Sequence, residues 1–205
     1  MASKNPSILT LCEQQKLVME LNIFKIQGTD KRGNPILHVF GKLFPGRIVS
    51  VEAVMKFLDE EIFPCLNGKP FSVVYINSDV TRAENFPGIF ALYRLYKAMP
   101  VEVRDNMESV CIVHPSFQCR FFLSTFGRLL FTHGGGLCCK LRFVYRLDFL
   151  WDNVRREEFE IPKFVRDFDE ELEYRPQLDL GMEGPDHTRL IFWAPQPNFY
   201  WFIPI

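Results

Sequence analysis

Ser109-Val110-Cys111-Ile112-Val113-His114-Pro115 is the stretch on which the fold turns. Five residues, mostly apolar and β-branched, make one strand, and the His-Pro pair halts it. The run shows no polar alternation, which marks a strand covered on both faces. Phe71–Asn77 (FSVVYIN) and Leu141–Tyr145 (LRFVY) have the same character. Helical spacing fills the gaps between these runs. Phe86–Met99 repeats through Ile89, Leu92, Tyr93 and Tyr96 until Pro100 stops it, and Phe117–Phe131 is a strongly apolar helix closed by Gly134-Gly135-Gly136. Upstream, Ser50 caps a helix to about Ile62, with Val51, Val54, Met55, Leu58 and Ile62 on one face and with Pro64 and Gly68 as its stop. Downstream, Leu147–Val154 makes one helical turn or two, and Ile161–Leu172 is a helix with Pro162 in its first turn. Strands alternating with helices imply right-handed crossovers and an α/β fold, a mostly parallel β-sheet covered by helices.

Outward from this core, Leu9–Glu20 spaces Leu9, Leu11, Leu17, Val18 and Leu21 as a short amphipathic helix. Asn22–Gln27 and Ile36–Phe40 are strand-like runs joined by turn formers from Gly28 to Pro35, a hairpin at the entrance to the domain. From Tyr174 the periodicity fades into a proline- and aromatic-rich C-terminal arm ending in Phe199-Tyr200-Trp201-Phe202. The expected organisation is a helical segment at 1–21, an α/β domain at 22–173 and the arm at 174–205. Exposed aromatic clusters seldom stay uncovered, so the arm's end is expected on its own domain, on a second copy or at a membrane surface.

Composition narrows the function. With 47% hydrophobic and 24% charged residues, the 205-residue chain is globular. A net charge of -1 gives no global field for nucleic acid. No apolar run reaches the ~18 residues of a membrane span, and Met1–Thr10 lacks a signal-peptide pattern. The six cysteines match no zinc spacing and read as reduced thiols of a cytoplasmic protein. The 21 phenylalanines require a bulky core or an apolar cavity. Phe117, Phe121, Phe122, Phe126 and Leu129 lie on or near one face of their helix, so they either line an acyl-chain pocket or fill the core. His114 stands at a strand end, where α/β ligands often bind. The local sequence gives it neither nucleophile nor carboxylate, and its expected duty is to fix the turn. Gly134-Gly135-Gly136 follows a helix and precedes a strand, the reverse of a phosphate loop. With no nucleophile–base pair, metal cluster or nucleotide loop, no catalysis and no cofactor are expected.

The order of short motifs along this rhythm resembles the CRAL-TRIO family. Asp30-Lys31-Arg32-Gly33-Asn34-Pro35-Ile36 is similar to its opening hairpin, with Asn34 in place of an arginine. Val73-Val74-Tyr75-Ile76-Asn77, Lys140-Leu141-Arg142-Phe143-Val144 and Phe159-Glu160-Ile161-Pro162-Lys163 resemble later family motifs. Ile112-Val113-His114-Pro115 resembles the divergent BCH-type branch, where typical lipid-transfer members read Asn-Ala-Pro. The resemblance covers roughly Asn22 to Leu172. It implies a non-catalytic binding module for a phospholipid or other hydrophobic ligand, with Lys140 near a lipid phosphate and Arg142 in support. The branch implies a second reading: a scaffold for small GTPases, GTPase-activating proteins or a second copy. Peripheral membrane contact fits the first reading.

Overall fold

The computed structural model describes residues 9–81, 85, 89–125 and 140–174. The chain divides into a unit Met1–Tyr174 and a unit Arg175–Ile205. The described residues belong to the first, so the expected arm beyond Tyr174 lies outside them, as do Gly134–Gly136, Phe126 and Leu129.

Five strands form one sheet in sequence order: β1 (Phe24–Thr29), β2 (Pro35–Phe40), β3 (Phe71–Ile76), β4 (Met107–Val113) and β5 (Leu141–Val144). β1 pairs antiparallel with β2, and every later pair is parallel. This is the mostly parallel α/β sheet expected from the sequence. Because the strands advance in one direction, the right-handed β2–β3 and β3–β4 crossovers run over the same face. That face packs on α1 (Leu11–Glu20), α2 (Val51–Phe57), α3 (Phe63–Leu66), α4 (Ile89–Ala98) and α5 (Val101–Asp105) through Val18, Leu37, Val54, Leu58, Phe71, Leu95 and Val103. α6 (Phe117–Thr125) comes after β4. The segment beyond β5 covers the opposite face with α7 (Leu147–Leu150), a 3-10 turn at Arg156–Glu158 and α8 (Lys163–Tyr174). The core on that side holds Ile36, Val74, Cys111, Val113, Val144, Leu150, Val154 and Val165. Neighbours such as Ile36 and Leu37 thus serve opposite faces, and this is why the strands read as unbroken apolar runs.

Local signals act as the sequence suggests, with two differences. Ser50 caps α2 by accepting from the Ala53 amide at 3.2 Å. Pro64, however, does not stop the helix. A π turn at Leu58–Ile62 widens the backbone, and α3 carries on to Leu66 with Pro64 in its first turn. Proline has no N–H and crowds the carbonyl one turn back, and a widened turn accommodates both. The true stop is Asn67 and Gly68, at φ of 50° and 62°. Likewise Pro100 ends α4 but opens α5, a helix too short to announce itself by periodicity.

The Asp30-Lys31-Arg32-Gly33-Asn34-Pro35 hairpin is built around one carboxylate. Asp30 Oδ1 accepts from the Arg32 and Asn34 amides at 2.8 and 2.9 Å. Its Oδ2 accepts from the Ser72 hydroxyl at 2.8 Å and the Asn34 side-chain amide at 3.1 Å. Burial works to raise the Asp30 pKa, but these bonds outweigh it and hold the carboxyl below its usual range. The motif is a fold device that locks the hairpin to β3.

Candidate functional site

The carboxyl ends of the parallel strands meet α8. His114 comes directly after β4 with φ of 51°, its amide donating to the Val144 carbonyl at 2.8 Å. Its carbonyl accepts from the Asn77 side-chain amide at 3.1 Å. The ring bridges Ser78 Oγ, 2.7 Å from Nδ1, and Asp169 Oδ1, 2.8 Å from Nε2. A neutral ring giving its proton to the carboxylate accepts the Ser78 hydroxyl proton at Nδ1. Asp169 also accepts from the Leu147 amide at 2.9 Å and from Arg146 Nε and Nη2 at 3.2 Å each. Arg146 continues to Glu173 at 2.9 Å.

Electrostatics follow from this packing. Burial pushes the His114 pKa down, and Asp169 only partly opposes it. For Asp169, burial pushes upward, but the Leu147 amide, Arg146 and His114 together hold the carboxyl below its usual range. Ser78, His114 and Asp169 share the donor order of a hydrolytic triad. Yet Ser78 has no exposed surface and Arg146 neutralises the acid. The arrangement clasps α8 to the sheet. No local pattern hints at it, because Ser78 and Asp169 lie 36 and 55 residues from His114.

Lys140 and the α6 phenylalanines lie at different ends of the strands. Lys140 stands before β5, its Nζ 3.5 Å from the Asp105 carbonyl at the amino end of β4. Arg142 turns to Asn153 Oδ1 at 2.9 Å instead. Phe117 and Phe121 open α6 at the carboxyl end, 49% and 59% exposed, with ring centroids 6.2 Å apart. The side chain of Phe122 lies outside the described residues. The Arg120 guanidinium sits 5.8 Å from the Phe117 ring and 5.3 Å from the Tyr145 ring. Tyr145 is itself exposed, and Phe149 on α7 is a further exposed ring. Phe117 and Phe121 are thus exposed, where the sequence led to a pocket lining or a filled core, and their neighbour Tyr145 comes from another element.

On the β1–β2 side of the sheet an open cleft of about 490 Å³ lies between the approach to β1, the end of β2 and the start of α8. Asn22, Lys25, Phe40, Leu43, Glu160, Pro162 and Phe164 line it. Lys42 stands nearby, its Nζ 5.0 Å from the Phe164 ring centroid and 2.9 Å from Asp79. Among the described residues there is no group of three or more His, Cys, Asp or Glu placed to hold a metal, and no helix is long and apolar enough to cross a membrane.

Comparison with known proteins supports the motif reading. The chain is 22% identical over 142 residues to "Protein GDAP2 homolog" of Drosophila melanogaster, covering 69% of this chain and 25% of that protein. It is 28% identical over 146 residues to "Ganglioside-induced differentiation-associated protein 2" of Xenopus tropicalis, covering 69% and 28%. The Homo sapiens protein of that name is 25% identical over 175 residues, covering 83% and 31%. The chain therefore spans about a quarter to a third of the length of these relatives. The family described as "Divergent CRAL/TRIO domain" matches residues 33–171, from the opening hairpin through the clasp into α8, and the chain belongs to that family.

Proposed function

We propose that this domain is a non-catalytic binding module that recognises lipid at a surface. The observation that carries this reading is the exposed Phe117–Phe121 pair on α6, flanked by Arg120 and Tyr145. Two rings one helical turn apart beside a cation suit the boundary between acyl chains and headgroups. Lys140 and Arg142 lie toward the amino ends of the strands, so a headgroup contact there belongs to a separate part of the surface. Vesicles of phosphatidylcholine with phosphatidylinositol, spun down with the full chain, test the reading. Replacing Phe117 and Phe121 together by Asp should cut the bound fraction at least about tenfold, since each ring forgoes on the order of 1.5 kcal/mol or more of burial. Equal sedimentation of the double variant and the parent would remove the proposal.

A second reading is a protein-interaction scaffold for small GTPases or their regulators. It is favoured by the packing of both sheet faces with side chains over the described residues. A filled sheet leaves recognition to the surface. Pull-down with a panel of GTPases in both nucleotide states tests it, and recovery of none of them counts against it.

A further inference from the structure

α8 ends against its own dipole. Backbone carbonyls leave the last turn of a helix partly negative, and lysine or arginine is the favourable choice there. The last turn of α8 carries no basic residue. It carries Glu170, Glu171 and Glu173 instead, all exposed. The compensating cation comes from outside the helix. Arg146, just ahead of α7, reaches Asp169 at 3.2 Å and Glu173 at 2.9 Å. The end of α8 is therefore held by tertiary charge pairing, and a further negative charge there works against it.

Tyr174 is where such a charge can arrive. It is the final residue of α8 and is 86% exposed, the most exposed large apolar side chain among the described residues. By contrast Tyr96 is buried and Tyr145 lies against Arg120. Glu170 and Glu171 stand four and three residues before Tyr174, on the helix face that it shares, and Glu173 directly precedes it. An exposed phenol among carboxylates complements a substrate groove lined with lysine and arginine. A terminal turn also opens at lower cost than a helix centre, so the tyrosine can be presented in extended form.

We propose that Tyr174 is a phosphorylation site for a tyrosine kinase with a basic substrate groove, and that the phosphate loosens the last turn of α8. The phenolic oxygen forms a bond to the γ-phosphorus of ATP, the bond from that phosphorus to ADP breaks, and the phenol proton passes to the kinase's base. The product adds a charge of about −1.5 to −2 to a turn that is already acidic. Repulsion from Glu170, Glu171 and the helix end then competes with the hold of Arg146 on Glu173. The bonds of Asp169 to His114 and to the Leu147 amide limit the change to the last turn.

The full chain, incubated with ATP and the catalytic domain of a tyrosine kinase selective for acidic peptides, tests this. Mass spectrometry should place phosphate on Tyr174, and Tyr174→Phe should remove it. Glu170→Gln together with Glu171→Gln should slow the modification about threefold or more. Amide exchange in the last turn of α8 should quicken about fivefold after modification, and the gain should shrink in about 0.5 M salt. In Arg146→Gln that turn should exchange quickly from the outset, with less gained on modification. No phosphate on Tyr174, or equal rates for the parent and the double glutamine variant, would overturn the assignment. Unchanged or slower exchange after modification, or a gain that salt leaves intact, would overturn it equally.

Discussion

His38 and His114 are both buried histidines, and their neighbours give each a pH dependence that can be measured. His38 on β2 donates through Nε2 to the Gln27 carbonyl at 2.8 Å and lies 4.2 Å from the Phe159 ring. Burial lowers its pKa from 6.5 to about 4. Since the folded value is the lower one, the unfolded chain takes up the proton first as pH falls. Stability from this site is complete above pH 6.5 and declines between 6.5 and 4, by up to about 3 kcal/mol. His38→Gln keeps a donor for Gln27 but does not titrate. Urea denaturation at pH 7.5 and 5 should show a shallower pH slope for this variant than for the parent. Asp169 has the same sign at lower pH: its carboxyl is held below the usual range, so its contribution is present above that range and is lost on acidification. At neutral pH, Asp169→Asn should cost about 2–3 kcal/mol, because the amide presents one acceptor oxygen where two had served His114, Arg146 and the Leu147 amide. An unchanged urea midpoint would show that the clasp holds nothing.

At the level of elements, β1 shows how a short irregularity positions a neighbour. Its register slips between Ile26 and Thr29, where Gly28 adopts φ of 68°. A Cβ at Gly28 would stand 2.8 Å from the Glu158 carbonyl oxygen, in the segment that crosses the sheet edge toward α8. The adjacent Thr29 hydroxyl donates to Glu158 at 2.7 Å, and the Arg155 amide donates to the Thr29 carbonyl at 3.2 Å. Gly28→Ala should therefore destabilise by about 2 kcal/mol, combining an unfavourable φ with a backbone collision. Thermal unfolding checks this, and Gly33→Ala is the control, since its φ of 88° comes with nothing within 4 Å. The strands, the Ser50 cap and the α8 periodicity were legible because each is a local pattern. The continuation of the α2 helix through Pro64 was not, because proline's usual effect was overridden by a π turn packed through Leu58 and Ile62.

Across the molecule, the one-way order of the strands has a cost. It commits the β2–β3 and β3–β4 crossovers to one face, and the segment after β5 covers the other. α8 is thus an obligatory cover, carrying Val165 into the second core and Asp169 onto His114. Ending the chain at Pro162 should expose that core and abolish cooperative unfolding. Circular dichroism and amide dispersion would reveal it, and a sharp, parent-like transition would show the cover to be dispensable.

Short-range patterning was enough to specify the layered α/β fold and its family. Strand runs, caps and helix periods are signals that survive without knowledge of the partner across the sheet. The α6 phenylalanines were legible as neighbours on one helix, but the exposure of Phe117 and Phe121 was not, because the surrounding elements decide it. The His114–Asp169 clasp, the different directions of Lys140 and Arg142, and the cleft between β2 and α8 emerged only once the chain was folded. Each joins side chains from separate elements, and only the packing of those elements sets which charges pair, which rings stay exposed and where space remains.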